Sequence, residues 1–504
     1  MNYNQILKEN DKVSNYEGAV AYKMPKEIEL YSAVCTMMVQ DKFYESPQKQ
    51  IDRITKLIRE VPPTYVAKLA VYAREDMYLR SIPLFLIVEL AKVHSGDDLV
   101  SRTIESTIKR ADEIMELLMC YQWRNPSHGN KKLGKLSHQI QIGLQRCFNK
   151  FDEYQFAKYN RSTNEVKMRD ALFVIHPKAD DEAQQAVFDK IANNTLSTPY
   201  TWETELSALG KQSFDTAEAK KKAFAQKWTE LIESGRLGYM ALLRNLRNII
   251  LAEVDDDTIM KVAQRISNET EVLHSKQLPF RFLSAYKELK HVDTLNTPFI
   301  LTALEKATAV SAANIQGFSE ETNVLIACDT SGSMDWPLSF RSRIKYYEVA
   351  LMLGMLLHSR CRKVIPGIFA DEWEVVNLPN HNILSNVDTL RDMLGRVGGG
   401  TDGGKVIEWM IERQVVVDKV MFFTDCQLWS RHDVQFTQLW DKYKRISPKA
   451  RLYLFNLAGY GQTPINVVRE DVTMLSGWND SVFDMLHSIE NAKDIVKRIN
   501  DIRI

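Results

Sequence analysis

The run DTSGS, from Asp329 to Ser333, follows directly on an apolar segment that ends at Cys328. An apolar strand that ends in D-x-S-x-S brings one carboxylate and two hydroxyls, those of Asp329, Ser331 and Ser333, onto one tight loop. Such hard oxygen ligands suit Mg²⁺ or Mn²⁺, whereas zinc prefers His and Cys. The sequence therefore predicts a divalent-cation site directly after this strand.

Two later loops add further oxygen ligands to the predicted site. Thr401 lies in the glycine-rich run GGGTD, and Asp425 directly follows the strand-like run KVMFFT. All three loops follow predicted strands, and the ligand sites of open α/β sheets lie at the carboxyl ends of their strands. The order of the motifs is the pattern of a von Willebrand factor A (vWA) domain with a metal-ion-dependent adhesion site. Asp402 is expected to hold the Thr401 loop in place, and one ligand position of the ion is expected to stay open to solvent or to a partner's carboxylate.

The composition is typical of a soluble globular protein, with 45% hydrophobic and 26% charged residues among 504. No apolar run approaches the roughly 20 residues of a membrane span, and the first residues do not resemble a signal peptide. Six scattered cysteines without C-x-x-C spacing argue against a disulfide framework or a zinc site and favour the cytoplasm. Basic and acidic residues balance at 65 each, so a nucleic-acid ligand would have to bind a local patch.

The two halves of the chain have different patterns. Up to about residue 317, apolar residues recur at helical spacing, which predicts stacked helix pairs, an all-α solenoid of the HEAT type. From there on, β-type runs alternate with helices and predict a Rossmann-like α/β domain with a mainly parallel sheet. The predicted domains are residues 1–317 and 318–504, with a linker at 313–317. The expected strands are Val324–Cys328, Val364–Phe369, Trp373–Leu378, Val420–Thr424, Leu452–Leu457 and Val472–Leu475.

Two basic clusters lie in the helical half. No acidic residue occurs between Leu117 and Phe151, and a helix beginning near Lys131 would bury an apolar stripe and point its basic residues the other way. Basic side chains at this density attract phosphate, although a solvated helix face is the alternative interpretation. The candidate RNA-binding residues are Arg124, Lys131, Lys132, Lys135, His138, Arg146, Lys158, Arg161, Arg169, His176 and Lys178.

Several segments resemble the TROVE-domain proteins related to the Ro autoantigen, namely residues 73–83, 168–178, 201–207, 241–246 and 278–286. The resemblance covers nearly the whole chain, because the predicted vWA domain follows in the expected place. It implies a closed ring of HEAT-like helical repeats sealed by the vWA domain. It further implies that small noncoding Y-type RNA binds the outer basic surface, at positions that match His176 and the pair Lys158 and Tyr159. Single-stranded 3′ ends of misfolded RNA would enter the central hole.

The resemblance also implies a role in RNA quality control or processing, with a 3′-to-5′ exoribonuclease such as polynucleotide phosphorylase as a possible partner. No P-loop occurs and no D-x-D pair follows Asp329, so we expect a protein that is not an enzyme. We further expect a cytoplasmic monomer that holds one Mg²⁺ or Mn²⁺ and contacts no membrane. The alternative function is a metal-dependent protein-interaction scaffold without an RNA role.

Overall fold

A computed structural model of the chain describes most of its length. The described residues are 12–37, 41–126, 135–160, 165–277, 279–312, 322–339, 342–429, 435–478, 481–490 and 495–504. Within these ranges, none of the helices combines the length and the apolar character that crossing a membrane requires. None of the six cysteines, all of which lie in these ranges, forms a disulfide.

The first part of the chain contains a short β hairpin followed by helices. The hairpin strands are β1 (Lys12–Ser14) and β2 (Val20–Lys23). The helices are α1 (Lys26–Cys35), α2 (Pro47–Glu60), α3 (Pro63–Glu75), α4 (Ser81–Val93), α5 (Leu99–Thr107), α6 (Ala111–Arg124), α7 (His138–Phe148), α8 (Glu153–Tyr159), α9 (Met168–Ile175), α10 (Glu182–Asn193), α11 (Trp202–Gly210), α12 (Ala217–Glu233), α13 (Tyr239–Leu251), α14 (Asp256–Ile266), α15 (Glu269–Ser275), α16 (Pro279–Lys290) and α17 (Thr297–Ala312).

In the second part, strands alternate with helices. The strands are β3 (Asn323–Asp329), β4 (Lys363–Phe369), β5 (Trp373–Val375), β6 (Lys419–Thr424), β7 (Arg451–Asn456), β8 (Gln462–Thr463) and β9 (Val472–Ser476). The helices are α18 (Tyr346–His358), α19 (Ile383–Arg391), α20 (Gly404–Glu412), α21 (Phe436–Ile446), α22 (Ser481–Glu490) and α23 (Ile495–Asn500), and a short 3₁₀ helix spans Gly332–Asp335.

The chain divides into two compact units, one of residues 53–237 and 494–504 and the other of residues 1–52 and 238–493. In the first of these units, helices that are near in sequence pack on one another: α3 on α4 and α5, α4 on α6, and α5 on α7. This is the pattern expected of stacked helix pairs. The second unit contains the α/β sheet together with helices α13 to α17. The predicted fold class, a helical region followed by an α/β vWA domain, is confirmed. The domain boundary at residue 317 and the closed ring stay predictions.

The sheet of the second unit has the strand order β5-β4-β3-β6-β7-β9. All its neighbours pair in parallel except β5, which pairs with β4 antiparallel. β3 lies inside the sheet and is buried from Val324 to Asp329, with α18 packed on β3 and β6. Apolar residues of α20 and α21, among them Trp440, belong to a buried cluster with β6 and β7. The strands therefore end in parallel at one edge, where their loops come together.

The sequence predicted these six strands to within one residue at each end, except that β5 ends at Val375 instead of Leu378. It did not predict the second, three-stranded sheet of order β1-β2-β8. In that sheet Tyr22 lies opposite Thr463, so the N-terminal hairpin joins the α/β unit. Strands of two to four residues are too short to produce a readable alternation of apolar and polar residues.

The helix expected to begin near Lys131 begins instead at His138. Ser137 is its N-cap, and the Ser137 side chain accepts a hydrogen bond from the Ile140 backbone amide. Lys135 therefore precedes the helix and does not share a helical face with His138, which corrects that prediction. Of the six residues expected to form the apolar stripe, Ile140, Leu144, Cys147 and Phe151 are buried. Leu136 is only partly buried and precedes the helix, and Leu133 lies outside the described residues.

Arg124 makes a buried ion pair inside the helical unit. Its Nε donates to Glu89 Oε1 at 2.6 Å, and Glu89 is 2% exposed. Burial alone would raise the pKa of Glu89, but hydrogen bonds from Arg124 and Lys92 outweigh burial and hold the pKa below its usual range. The pair ties α6 to α4, so Arg124 has a structural role whether or not it also contacts a ligand.

We expect Arg124→Ala to lower the free energy of unfolding by about 2 kcal/mol, because the buried Glu89 carboxylate loses a charge-assisted hydrogen bond and keeps only the one from Lys92. Arg146→Ala is the matched control, since Arg146 pairs with Glu105 at 3.3 Å on the surface and such pairs contribute less than about 1 kcal/mol. Urea unfolding followed by circular dichroism measures both. Equal losses in the two variants would contradict the structural role of Arg124.

Candidate metal and nucleic-acid sites

The predicted metal ligands lie on three loops at the carboxyl edge of the sheet. β3 ends at Asp329 and β6 ends one residue before Asp425. The Gly332 amide donates to the Gly399 carbonyl oxygen at 3.0 Å, which ties the DTSGS loop to the loop of Thr401. Within the first loop, the Ser331 and Ser333 hydroxyl oxygens are 3.3 Å apart. The fold therefore assembles the loops that carry all five predicted ligands.

All five predicted ligands are buried, with exposures of 0% for Asp329 and Ser331, 2% for Asp425, 3% for Thr401 and 6% for Ser333. The Asp329 carboxylate accepts hydrogen bonds from the Ser331 amide at 3.0 Å and from the Thr424 hydroxyl at 2.6 Å. Because both of its oxygens are engaged, Asp329 is suited to reach an ion through water. Asp425 Oδ1 accepts from the Gln427 amide at 2.9 Å.

The electrostatics of this edge favour a cation. Burial, and then the negative charge of Asp425, raises the pKa of Asp329 to about 7. Burial also raises the pKa of Asp425 to about 6, and among the described residues its Oδ2 has no hydrogen-bond partner. This pair of buried carboxyls fits a divalent ion. The ion would supply a partner for Asp425 Oδ2 and favour the charged forms of both Asp329 and Asp425.

The donor set is made of oxygen atoms. In the part of the chain that the structure describes, no group of three or more His, Cys, Asp or Glu side chains is placed to hold a metal. Any ion at this edge must therefore rely on hydroxyls beside the two carboxylates, a combination that suits Mg²⁺ better than zinc.

Asp371 supports the glycine-rich loop and was not predicted from the sequence. Its Oδ2 accepts from the backbone amides of Gly399 at 2.8 Å and Gly400 at 3.0 Å. A Cβ at Gly398 or Gly400 would come within 2.5 Å of the Asp371 carboxylate, and Gly398 has a φ of +89°, so the loop needs glycine there. Asp371 comes two residues after the end of β4, close to the strand end as Asp425 is after β6, and that position was the available signal. Asp402, expected to hold the Thr401 loop, accepts a hydrogen bond from the amide of Gly404, the first residue of α20.

The basic residues of the helical unit lie on a surface that α7 organises. Three amide side chains at four-residue spacing on and just after α7 bind the backbone of the last residue of α9 and of the segment that follows it. Gln141 and Gln145 donate to the Ile175 carbonyl at 3.3 and 2.9 Å, and Asn149 donates to the Lys178 carbonyl at 2.9 Å. The two clusters, separate in sequence, are thereby joined. We call the surface made by the exposed basic residues on and around α7, α8 and α9 the α7–α9 surface. These residues are Lys135, His138, Arg146, Lys158, Arg169, His176 and Lys178.

Exposed aromatic rings accompany the cations of the α7–α9 surface. Lys158 Nζ lies 5.8 Å from the ring centre of Tyr154, and the Arg169 guanidinium lies 5.5 Å from that of Phe173. Tyr154 and Phe173 are 46% and 49% exposed. Sequence reasoning missed both rings, although each stands four residues before or after its cation, the spacing of one helix face.

The predicted RNA-binding residues have different environments. Lys131, Lys132 and Arg161 lie outside the described residues. Arg124 and Arg146 make the ion pairs described above. His176 ends α9 in a left-handed conformation with a φ of 51°, which is uncommon outside glycine and which the hydrogen bonds from α7 hold. The exposed members of the set are Lys135, His138, Arg146, Lys158, Arg169, His176 and Lys178.

A second basic feature is a cavity of about 540 Å³ between α13 and α16. Arg244, Arg247 and Arg281 line it, and Arg247 pairs with Glu288 at 3.5 Å. Among the described residues, no carboxylate pairs with Arg244 or Arg281. Desolvation and the charge of Arg244 lower the pKa of Arg281. We call this the arginine pocket. Two neighbouring guanidiniums without a counter-charge favour an anionic ligand.

Comparison with known families identifies both parts of the chain. The TROVE domain family model matches residues 193–309, and the Ro60 vWA domain model matches residues 323–489. The chain belongs to the TROVE-domain family of Ro-type proteins. The arginine pocket falls inside the TROVE match, whereas the α7–α9 surface precedes it in sequence.

Relatives agree with this family. The chain is 24% identical over 292 residues to RNA-binding protein RO60 of Deinococcus radiodurans, covering 52% of this chain and 54% of that protein. It is 22% identical over 369 residues to telomerase protein component 1 of Rattus norvegicus, covering 57% of this chain and 14% of the relative. The chain thus spans about half or less of the length of these relatives. The crystal structure of the Deinococcus radiodurans Ro protein matches with a TM-score of 0.60 at 18% identity, covering 91% of this chain and 98% of that one, and shares the fold.

We expect Mg²⁺ to raise the melting temperature of the protein, since a ligand that binds the folded state stabilises it. Asp425→Asn should abolish the rise, because it removes the unmatched carboxylate oxygen. In EDTA the variant should melt at or above the wild-type temperature, because the change relieves repulsion with Asp329. Differential scanning calorimetry with and without Mg²⁺ measures both effects. An equal rise in the variant would exclude Asp425 as a ligand.

Proposed function

We propose that this Ro-family protein is a noncatalytic RNA-binding protein of RNA quality control or processing. A small structured RNA of the Y type binds the α7–α9 surface, and single-stranded 3′ ends of misfolded RNA bind the arginine pocket. The observation that carries the proposal is the joining of two basic clusters into one surface by the amide side chains of α7. The relative named an RNA-binding protein in Deinococcus radiodurans supports the same ligand class.

The α7–α9 surface offers two kinds of contact to RNA. Exposed basic side chains such as Lys178 and Arg169 attract backbone phosphates, and this attraction does not require a basic protein overall. Exposed rings such as Tyr154 and Phe173 can stack on unpaired bases in loops and bulges, where most sequence-specific RNA recognition occurs. A surface with both kinds of group suits a folded RNA that presents a backbone and a loop together.

The arginine pocket suits a different form of RNA. Its volume of about 540 Å³ is that of a small-ligand site, too small for a duplex but sufficient for one or two nucleotides. Arg244 and Arg281 provide planar donors that match phosphate oxygens. Apolar side chains of the same wall, such as Met240 and Leu243, can contact a base. We therefore assign single strands to the pocket and structured RNA to the α7–α9 surface.

The metal site adds a role in recruitment. The residues that fit Mg²⁺ are those of the three loops described above, and when bound the ion would offer an open ligand position to an acidic side chain of a protein partner. A 3′-to-5′ exoribonuclease such as polynucleotide phosphorylase is a partner consistent with the RNA role. We further propose a cytoplasmic monomer.

Reversing the charges of Lys158 and Arg169 to Glu should weaken binding of structured RNA and reduce the salt dependence of binding. Each lost phosphate contact lowers the slope of log K against log salt by about 0.9. The RNA is chosen by sequencing RNA crosslinked to the protein in cells. Filter binding at several salt concentrations measures affinity and slope.

The charge-matched control reverses Lys220 and Lys222, which are exposed on α12 in the same unit. This control should bind as the wild type does. Loss of binding in the control alone would place the RNA elsewhere. If the wild type crosslinks to no RNA, the protein is better described as the metal-dependent scaffold.

Replacing Arg244 and Arg281 with Gln should weaken binding of a single-stranded oligouridylate severalfold and leave structured RNA unaffected, because the two ligands use separate sites. The Lys158 and Arg169 reversals should show the opposite pattern. Fluorescence anisotropy with both RNAs and both variants measures this crossover. Parallel losses for the two RNAs would contradict separate sites.

A further inference from the structure

The tip of the N-terminal hairpin is attached to the loop that carries Asp425. Asn15 Nδ2 donates to the Leu428 carbonyl oxygen at 2.9 Å, and the Tyr16 amide donates to Gln427 Oε1 at 3.0 Å. The tip itself is held closed, because Asn15 Oδ1 accepts from the amides of Glu17 and Ala19 at 3.1 and 2.9 Å. Glu17 is therefore placed at the carboxyl edge of the sheet, beside the predicted metal ligands.

Tyr44 connects Glu17 to the metal loop. The Tyr44 hydroxyl donates a hydrogen bond to Glu17 Oε1. Burial raises the pKa of Tyr44, and Asp425 and Ser333 lie close enough to act on it as well. Ser333 is one of the five predicted ligands, and its hydroxyl oxygen lies 3.3 Å from that of Ser331, another of them. Tyr44 thus links an exposed carboxylate on the hairpin to the loop that carries these ligands.

Aromatic packing fixes this arrangement from both sides. Tyr16 stacks on Tyr44 at 5.0 Å with an angle of 4° between the rings, and both rings meet the edge of Tyr460 at 5.5 and 5.4 Å. Phe43 packs on Trp336 at 5.9 Å, and Trp336 Nε1 donates to the Asp41 carbonyl oxygen at 3.0 Å. Trp336 directly follows the 3₁₀ helix that carries Ser333, so the segment at 41–44 is fastened to the metal loop.

We propose that Glu17, held by Tyr44 beside Ser333, is the chain's own carboxylate at the open ligand position of the metal site. An acidic side chain of a partner must then displace the hairpin tip to reach the ion. This inference rests on the proposed metal site. It adds Glu17 as a competitor of the partner's carboxylate for the open ligand position. The Tyr16 amide, next to Glu17, is bonded to Gln427, two residues after Asp425, so the hairpin tip lies beside the loop of the buried carboxylate.

The exposed contacts at the hairpin tip can separate more easily than the buried contacts beside them. Glu17 and Tyr16 are exposed, while Asn15 and Tyr460 are buried. The tip can therefore lift its acidic and aromatic side chains while Asn15 keeps the hairpin on the unit. The strand pairing of β2 with β8 gives a second point of attachment away from the tip. Exchange with a partner carboxylate would then not require the hairpin to unfold.

The test uses full-length protein, Mn²⁺ in place of Mg²⁺, and acetate as a simple external carboxylate. Electron paramagnetic resonance titration gives the Mn²⁺ affinity of each variant, so that every sample is saturated to the same extent. The relaxation of acetate methyl protons by the bound Mn²⁺ then reports how closely acetate approaches the ion. The variants are Glu17→Gln, Tyr44→Phe and the control Glu470→Gln, which removes an exposed charge at the opposite edge of the same sheet, before β9.

We expect Glu17→Gln to raise the acetate relaxation severalfold, Tyr44→Phe to raise it by less, and Glu470→Gln to match the wild type. The Mn²⁺ affinity of Glu17→Gln should also fall, because one negative charge near the ion is lost. Acetate relaxation that is unchanged in Glu17→Gln overturns the proposal, even if the Mn²⁺ affinity falls. If the metal site itself does not exist, the result is different: the wild type then binds no Mn²⁺, or binds it with the same affinity as Asp425→Asn.

Discussion

Two carboxylates, Asp329 and Asp425, are buried side by side at the carboxyl edge of a parallel sheet, and much of the α/β unit is arranged around that costly placement. Burying charge without a partner is strongly unfavourable. Hydrogen bonds offset part of this desolvation cost. The Thr424 hydroxyl and the Ser331 amide donate to Asp329, and the Gln427 amide donates to Asp425. Among the described residues, these contacts leave Asp425 Oδ2 without a partner, and the proposed cation would supply one.

The helical unit presents a positively charged surface although the composition of the chain is not basic. The chain as a whole is neutral. Its cations are collected locally, because three amide side chains on and just after α7 hold the backbone from Ile175 to Lys178, which includes His176. None of these amides is charged, and none would be selected as a ligand by its residue type. The binding surface therefore depends on neutral side chains that position charged ones.

The sequence predicted what depends on long apolar patterns and on local motifs. The strands around Asp329 and Asp425 are continuous buried runs, so their limits and the order of the metal loops could be read directly. The start of α7 was misplaced because Ser137, a short polar residue inside a basic stretch, decides it. Asp371 and the strands β1, β2 and β8 were missed because their roles arise from contacts between distant segments. No periodicity encodes such contacts. The rings of Tyr154 and Phe173 could have been predicted, because each lies four residues from a basic residue and so shares a helix face with it.

The hydrogen bond from Asn15 to Leu428 joins residues 413 positions apart in the chain. During synthesis the hairpin leaves the ribosome long before Leu428 and β8, the segments that it joins. Closing so long a loop is slow and yields no contact energy until the end. The hairpin therefore lacks these partners until the chain has been made as far as β8. The contacts between the hairpin tip and the loop of Asp425 then form late in folding, so they report that the distant strands are already in place.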